Sequence, residues 1–329
     1  MKAAVEKVKR FYSDYTPWIS LGLGVLTRVL SKQSVEFAPR ALAILALAWL
    51  IPVAISRYFR APVDPALEPS WRRVPRTLAP TVTVLLYKNV LFFLVPVWFG
   101  SAHFPSLNLA FPILLALMAL FTCFSNQYQV LVLDRPRVRV AWTAVVLFAV
   151  LVPAVAVMFN VSPRTSIILS ALFAATLSYL ALAPLDRVLT RKGIVGMSRV
   201  TVPVAAVAGL LAPLFPPVPM VCHAWKVGTS IAAREIRGEA SHFPRGTRRV
   251  VAWFAVTLPR HNRQEIAYQW FHNGDPISAP FRSKVSGGRK EGFRTWTLKT
   301  APTPGRWRVD MLTGESNQLI ARASFVVDP

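Results

Sequence analysis

From Arg40 to Pro217 the chain repeats one unit, a long apolar block followed by a short loop that carries arginine. The blocks are Ala41–Ser56, Leu78–Gly100, Leu107–Gln127, Val140–Phe159, Ser166–Leu185 and Val200–Pro216. Crossing a hydrocarbon core about 30 Å thick takes roughly 17–25 apolar residues, and most of the blocks approach or reach that length. A soluble domain has no use for so many in succession, so the pattern predicts a polytopic α-helical membrane bundle. Thr16–Leu30 is shorter and holds Arg28. Counted as a span, it gives about seven helices; lying in the interface, it leaves six.

The period changes near Pro216-Pro217-Val218-Pro219. Beyond it no apolar run is long enough to span. Short runs alternate polar and apolar residues instead, as half-buried strands do. Arg306–Leu312 and Phe293–Leu298 are the clearest, and Arg249–Leu258, Ile266–Phe271, Ile277–Val285 and Leu319–Val327 also fit, with a further strand within Gly228–Arg237. Turn signals separate them at His272-Asn273-Gly274-Asp275, Ser286-Gly287-Gly288-Arg289 and Thr313-Gly314-Glu315. The expected fold is therefore the helical bundle followed by a small all-β antiparallel sandwich. The expected domains are a membrane domain over 1–215, a Pro-rich linker over 216–221 and a β-sandwich domain over 222–329.

Composition sharpens this reading. The chain is 53% hydrophobic with a mean hydropathy of +0.42, yet its formal net charge is +23. Apolar mass in lipid with Lys and Arg in the loops reconciles the two, and no nucleic-acid motif accompanies the charge, so no nucleic-acid partner is expected. Loop 57–77 carries five arginines, loop 128–139 three and loop 186–199 four basic residues, whereas 101–106 carries none and the loop near 160–165 only Arg164. By the positive-inside rule the basic loops are cytoplasmic. If Val200–Pro216 crosses, the β domain lies on the far side. The first residues, MKAAVEKVKRFYSDY, contain no cleavable apolar region.

Candidate chemistry is sparse. Lys88, with Tyr87 and Asn89 beside it, sits near the middle of Leu78–Gly100. A charge at that depth faces a bundle interior or cavity, unless the span starts later and Lys88 snorkels to an interface. Ser125-Asn126-Gln127-Tyr128-Gln129 closes another block with polar residues, either lining a cytoplasmic-side pocket or marking the helix end. Prolines recur in the blocks, as they do in broken transporter helices and in membrane helices generally. The five histidines have no metal-ligand spacing, and no nucleophile elbow, phosphate loop or zinc-protease motif occurs. No cofactor, metal or enzymatic activity is expected.

Trp225, Trp253, Trp270, Trp296 and Trp307 all lie in the last third. Within alternating strands they are either core or, like Trp270 and Trp296, contacts for a sugar or partner. On the strand through 306–312, Arg306 and Arg308 share one face while Trp307 and Val309 share the other. With Arg294, these arginines offer a basic face to anionic headgroups or acidic polysaccharide, or simply to solvent.

Several of these residues form a pattern: Gln269-Trp270-Phe271-His272-Asn273-Gly274, Gly287-Gly288-Arg289, Phe293-Arg294-Thr295-Trp296-Thr297, Gly305-Arg306-Trp307-Arg308-Val309 and Phe325-Val326-Val327. Residues 269–327 resemble a bacterial C-terminal β-module of unknown function with that Trp-rich, G-x-W-x-V pattern. Tyr268 stands where the family often has histidine. Residues 16–215 are similar in layout to the multi-span region that precedes the module, with Lys88-Asn89 where that region tends to show Gln-Glu. The resemblance implies the architecture and a bacterial source, and no activity. The expectation is an inner-membrane protein with a periplasmic β-sandwich that binds envelope glycan, anionic lipid or another membrane protein. The alternative is a transporter or lipid-handling protein with a pathway near Lys88 and Asn89.

Overall fold

The computed structural model describes residues 87–182, 190–259, 262–289 and 291–329. Thr16–Leu30, Ala41–Ser56 and the start of Leu78–Gly100 lie outside them. Among the described residues six helices precede the β region: α1 over 87–101, α2 Ala110–Phe121, α3 Ser125–Tyr128, α4 Pro136–Met158, α5 Pro163–Leu182 and α6 Arg191–Leu210.

The bundle of about seven spans, or six, is corrected here. Among the described residues two helices are long and apolar enough to cross a membrane, α4 and α6. The block Leu107–Gln127 is not one helix. A 3-10 turn, Leu107–Leu109, leads into the 12 residues of α2, which ends at Thr122. The Thr122 hydroxyl donates to Ala119 O at 2.6 Å, competing with the backbone ladder at that point. The chain then restarts in α3 and passes into a π-turn, Gln129–Leu133. A helix of 12 residues reaches only about 18 Å. The last block is also displaced. Helix α6 begins at Arg191, inside what reads as a basic loop, because Thr190 caps it by accepting from Gly193 N at 3.1 Å. It ends at Leu210, and a 3-10 turn Ala212–Leu214 follows.

Two cores meet where the chain turns at 216–220. The helical core gathers Leu91, Leu94, Trp98, Leu115, Val146 and Val150, with Val218 at its edge. Trp98 Nε1 donates to Ala149 O at 3.0 Å, and Ser166 Oγ to Val152 O at 2.5 Å, fixing α1 and α5 on α4. The β core gathers Phe254, Tyr268, Trp270, Trp307, Val309 and Phe325, with Met220 among them.

The β region has eleven strands: β1 Val221–Gly228, β2 Ser230–Ala232, β3 Glu235–Arg237, β4 His242–Phe243, β5 Arg249–Thr257, β6 Arg263–His272, β7 Asp275–Pro276, β8 Phe281–Ser286, β9 Phe293–Thr300, β10 Gly305–Thr313 and β11 Leu319–Val327. One sheet runs β1-β5-β9; the facing one runs β4-β11-β10-β6-β7, with β8 also on β6. All pairs are antiparallel, as expected, except the short β4 with β11, which is parallel. Tyr268 and Trp270 reach across to β9, bonding Thr295 Oγ1 at 2.6 Å and Thr297 Oγ1 at 3.2 Å. Asn273 and Gly274 take φ of 51° and 102°, the double left-handed conformation of a two-residue hairpin loop that matches strand twist.

Candidate functional sites

Lys88 and Asn89 sit in different surroundings. Lys88 is buried, 4% exposed, while Asn89 is exposed. Lys88 has no ion pair among the described residues; the Cys123 thiol at the end of α2 lies within its electrostatic reach. Next to it, Tyr87 Oη and Thr143 Oγ1 share a 2.6 Å hydrogen bond between α1 and α4. Tyr128 packs edge-on against Trp142 with ring centroids 5.4 Å apart, and Phe121 touches both. Tyr128 Oη and Trp142 Nε1 are buried and make no hydrogen bond among the described residues.

The tryptophans divide. Trp270 and Trp307 are core, 5% and 4% exposed. Trp307 stacks on Phe325 at 6.1 Å and 7°, meets Trp270 edge-on at 6.3 Å, and donates to Thr303 O at 2.8 Å. Trp296 is 40% exposed on the outer face of the three-stranded sheet. Its cross-strand neighbour Trp253 is covered instead, because the β2–β3 hairpin folds over it and Arg234 O accepts from Trp253 Nε1 at 2.9 Å. Leu298, 51% exposed, extends the apolar strip. Arg294 flanks it with its charge balanced by Glu235 at 2.9 Å and Glu291 at 2.7 Å.

Arg306 is exposed at the start of β10. Arg308 is not a free cation. It lies 3.9 Å over the Phe271 ring and 3.4 Å from Asp310. Asp310 is 5% exposed and holds Arg322, its register partner on β11, through two bonds of 2.7 and 2.8 Å. That ladder belongs to a junction with the helices that alternation alone cannot reveal. Asn108 Nδ2 donates to Leu319 O at 3.0 Å, Gln318 Nε2 to Phe215 O at 3.1 Å and Gln264 Nε2 to Val161 O at 3.3 Å. His103, 5% exposed, meets Trp225 edge-on at 5.1 Å. Burial lowers its pKa from the ordinary value, Arg322 lowers it further, and Asp310 pulls the other way. Among the described residues no group of three or more His, Cys, Asp or Glu is gathered as for a metal ion.

The arrangement defines a protein of two parts, an apolar helical part and a β-sandwich joined to it by side-chain-to-backbone bonds. The model of the family of unknown function DUF5924 matches residues 1–246, most of the chain, and the chain belongs to that family. The model of the protein of unknown function DUF2914 matches residues 263–327. Both agree with the sequence-based expectation of a family without an assigned activity. The comparison with curated proteins finds no match.

Proposed function

We propose that this is a bacterial inner-membrane protein whose helices anchor it and whose β-sandwich, on the periplasmic side, is a binding module for an envelope glycan. One observation carries the membrane part. Only 17% of the apolar window of α6 is buried, and Val200, Val202, Val204, Val207 and Leu210 face outward. A core helix of a soluble protein hides that surface; a lipid-facing helix exposes it.

The sidedness has its own support. The loops at 101–109 and 159–162 carry no Lys or Arg and touch the sandwich through Asn108 and Val161. The basic segments at Arg135, Arg137, Arg191 and Lys192 start α4 and α6, at the other end of each helix. By the positive-inside rule the sandwich then faces away from the cytoplasm. For binding, Trp296 and Leu298 offer a flat aromatic–aliphatic strip on a rigid sheet, suited to stacking on a sugar ring.

A C-terminal alkaline phosphatase fusion should be active and a C-terminal fluorescent-protein fusion dark; the reverse would overturn the sidedness. Full-length protein in nanodiscs should co-sediment with purified cell-wall glycan, and Trp296→Ala should abolish this without moving the thermal midpoint. Equal pelleting of the wild type and the variant would overturn the role of the strip.

A further inference from the structure

We infer that the end of the sandwich farthest from the helices is a docking rim for an acidic polysaccharide, built by Arg245, Arg248, Arg249, Lys299 and Arg306. The inference rests on the binding reading above only for the Trp296 strip that leads into the rim.

Strand direction separates the two ends of the sandwich. Gln264 near the start of β6, Gln318 just before β11 and Leu319 at its start bond the helical part. At the opposite end β5 and β10 begin, and β6, β9 and β11 finish. The β4–β5 and β9–β10 turns meet there. Ala301 N donates to Arg248 O at 2.8 Å, and Thr300 is the register partner of Arg249. Lys299 Nζ lies 5.7 Å over the Trp307 ring, which ties the end of β9 to the start of β10, where Arg306 is exposed. Arg245 is exposed in the β4–β5 turn, which Thr247 N closes onto Pro244 O at 3.2 Å.

Elsewhere on the sandwich, Lys226, Arg282, Arg294, Arg308 and Arg322 each stand within 3.4 Å of a carboxylate. Among the described residues none of the five rim cations has such a partner. The acids at this end, Asp275 and Asp328, are exposed and outnumbered. A cluster of cations without counter-charges raises the local potential and draws polyanions.

The strip says which polyanion. Trp296, Leu298 and Thr300 occupy alternate positions on one face of β9, and Arg249 stands beside Thr300 on β5. From Trp296 to Thr300 is about 13 Å of strand, so a chain whose ring stacks on Trp296 reaches the rim with its next units. A ring for the indole and repeated anionic groups for the arginines are what an acidic polysaccharide supplies. Single-stranded nucleic acid also joins rings to charges, but it stacks successive bases on successive aromatics, and the strip exposes a single indole.

The test uses the full chain in phosphatidylcholine nanodiscs. Labelled polygalacturonate is the acidic probe, dextran of similar length the neutral one and an oligothymidylate the nucleic acid, with affinities read by anisotropy. Polygalacturonate should bind roughly tenfold tighter than dextran and weaken as salt rises from about 50 to 300 mM. The triple variant Arg245→Gln, Arg248→Gln, Arg306→Gln should lose roughly tenfold in affinity, as for three exposed ion pairs removed. Among the described residues these three side chains make no hydrogen bond or ion pair, so the thermal midpoint should hold. Lysine at the same three positions should restore most of the affinity. The matched control, Arg263→Gln, Arg282→Gln, Lys284→Gln on β6 and β8, removes the same charge and should change affinity by less than about twofold.

An equal loss in the control triple would mean general attraction to a basic protein and overturn the inference, as would no loss in the rim triple. Tighter binding of the oligothymidylate than of polygalacturonate would overturn the polysaccharide assignment. Trp296→Ala keeps the two readings apart. Loss of both polysaccharides in Trp296→Ala with none in the rim triple sinks the rim and keeps the strip. Loss in the rim triple with none in Trp296→Ala keeps the rim and sinks the strip.

Discussion

Trp307→Ala separates a core role from a binding role. The indole is 4% exposed, stacks on Phe325 at 6.1 Å and meets Trp270 at 6.3 Å. A tryptophan buries about 150–250 Å², worth about 4–6 kcal/mol at 25 cal/mol per Å². Mutational data for Trp or Phe to Ala in cores give about 3–5 kcal/mol, the lower part of that range reflecting partial collapse of the site. The lost bond from Nε1 to Thr303 O adds little, since Thr303 is exposed and water can replace the indole. A domain of this size shifts by about 4 °C per kcal/mol, so the sandwich midpoint should fall by about 12–20 °C. The assay is a near-UV dichroism melt of the full chain in micelles, with Trp296→Ala as the matched control. Trp296 is 40% exposed, so its truncation should move the midpoint by no more than a few degrees. Equal shifts in the two variants, or a Trp307→Ala shift below about 4 °C, would refute the division into core and surface tryptophans.

Asp310→Asn should cost roughly 2–4 kcal/mol by thermal melt, less than a fully buried pair because both guanidiniums keep part of their surface in water; no change would mean the ladder is decorative. His103 has a folded-state pKa below its ordinary 6.5, so the unfolded state takes up the proton first. Its stabilising contribution is complete above that value and is lost as pH falls through the lower, folded value, and His103→Gln should flatten this part of the stability–pH curve. The Cys222 thiol is pushed up to about 12 by burial, against backbone hydrogen bonds that favour the thiolate. In a Cys123→Ser background it should resist alkylation at neutral pH until the chain is denatured, and rapid native labelling would contradict its raised pKa. A fragment of residues 263–329 should fail to show a cooperative melt, because β9 loses the strand it pairs with.

The sandwich was legible because strands such as β9 and β10 carry their burial largely in a period of two. Trp307, Val309 and Met311 are buried while Arg306 is exposed, as alternation requires. The Asn-Gly hairpin and the bounds of β11 were equally readable. β1 was not, because a register shift between Cys222 and Ala224 breaks the period and the large Trp225 stands on its exposed face. The helical part was read from hydropathy, which measures partition into lipid and says little about where a helix starts. Hydropathy therefore missed the Thr190 cap and let α6 begin nine residues late. It also ran through the break at Thr122, where no Gly or Pro marks the interruption. The Lys88 charge stood out in the sequence, whereas the Tyr87–Thr143 bond beside it depends on helix packing. The junction bond from Asn108 to Leu319 joins residues 211 positions apart, beyond any local pattern.

The two family matches meet in a place that the fold does not divide. The first ends at residue 246 and the second begins at 263, so β5, Arg249–Thr257, belongs to neither. Yet β5 is the middle strand of the three-stranded sheet, paired with β1 from the first segment and β9 from the second. At the opposite edge, β4 from the first segment lies along the end of β11 from the second. Each segment alone would leave a ladder of backbone groups without partners, and buried backbone groups are not left so. Strands of the two matched segments, with β5 between them, therefore build one sandwich. The first half continues directly from α6 through Val218 in one core and Met220 in the other. Gln318 then clamps the turn from the far side by bonding Phe215 O and Pro216 O. Through β5, the strand that carries Trp296 is thus tied to β1, and β1 follows α6 by the turn at 216–220, where Val218 and Met220 are buried.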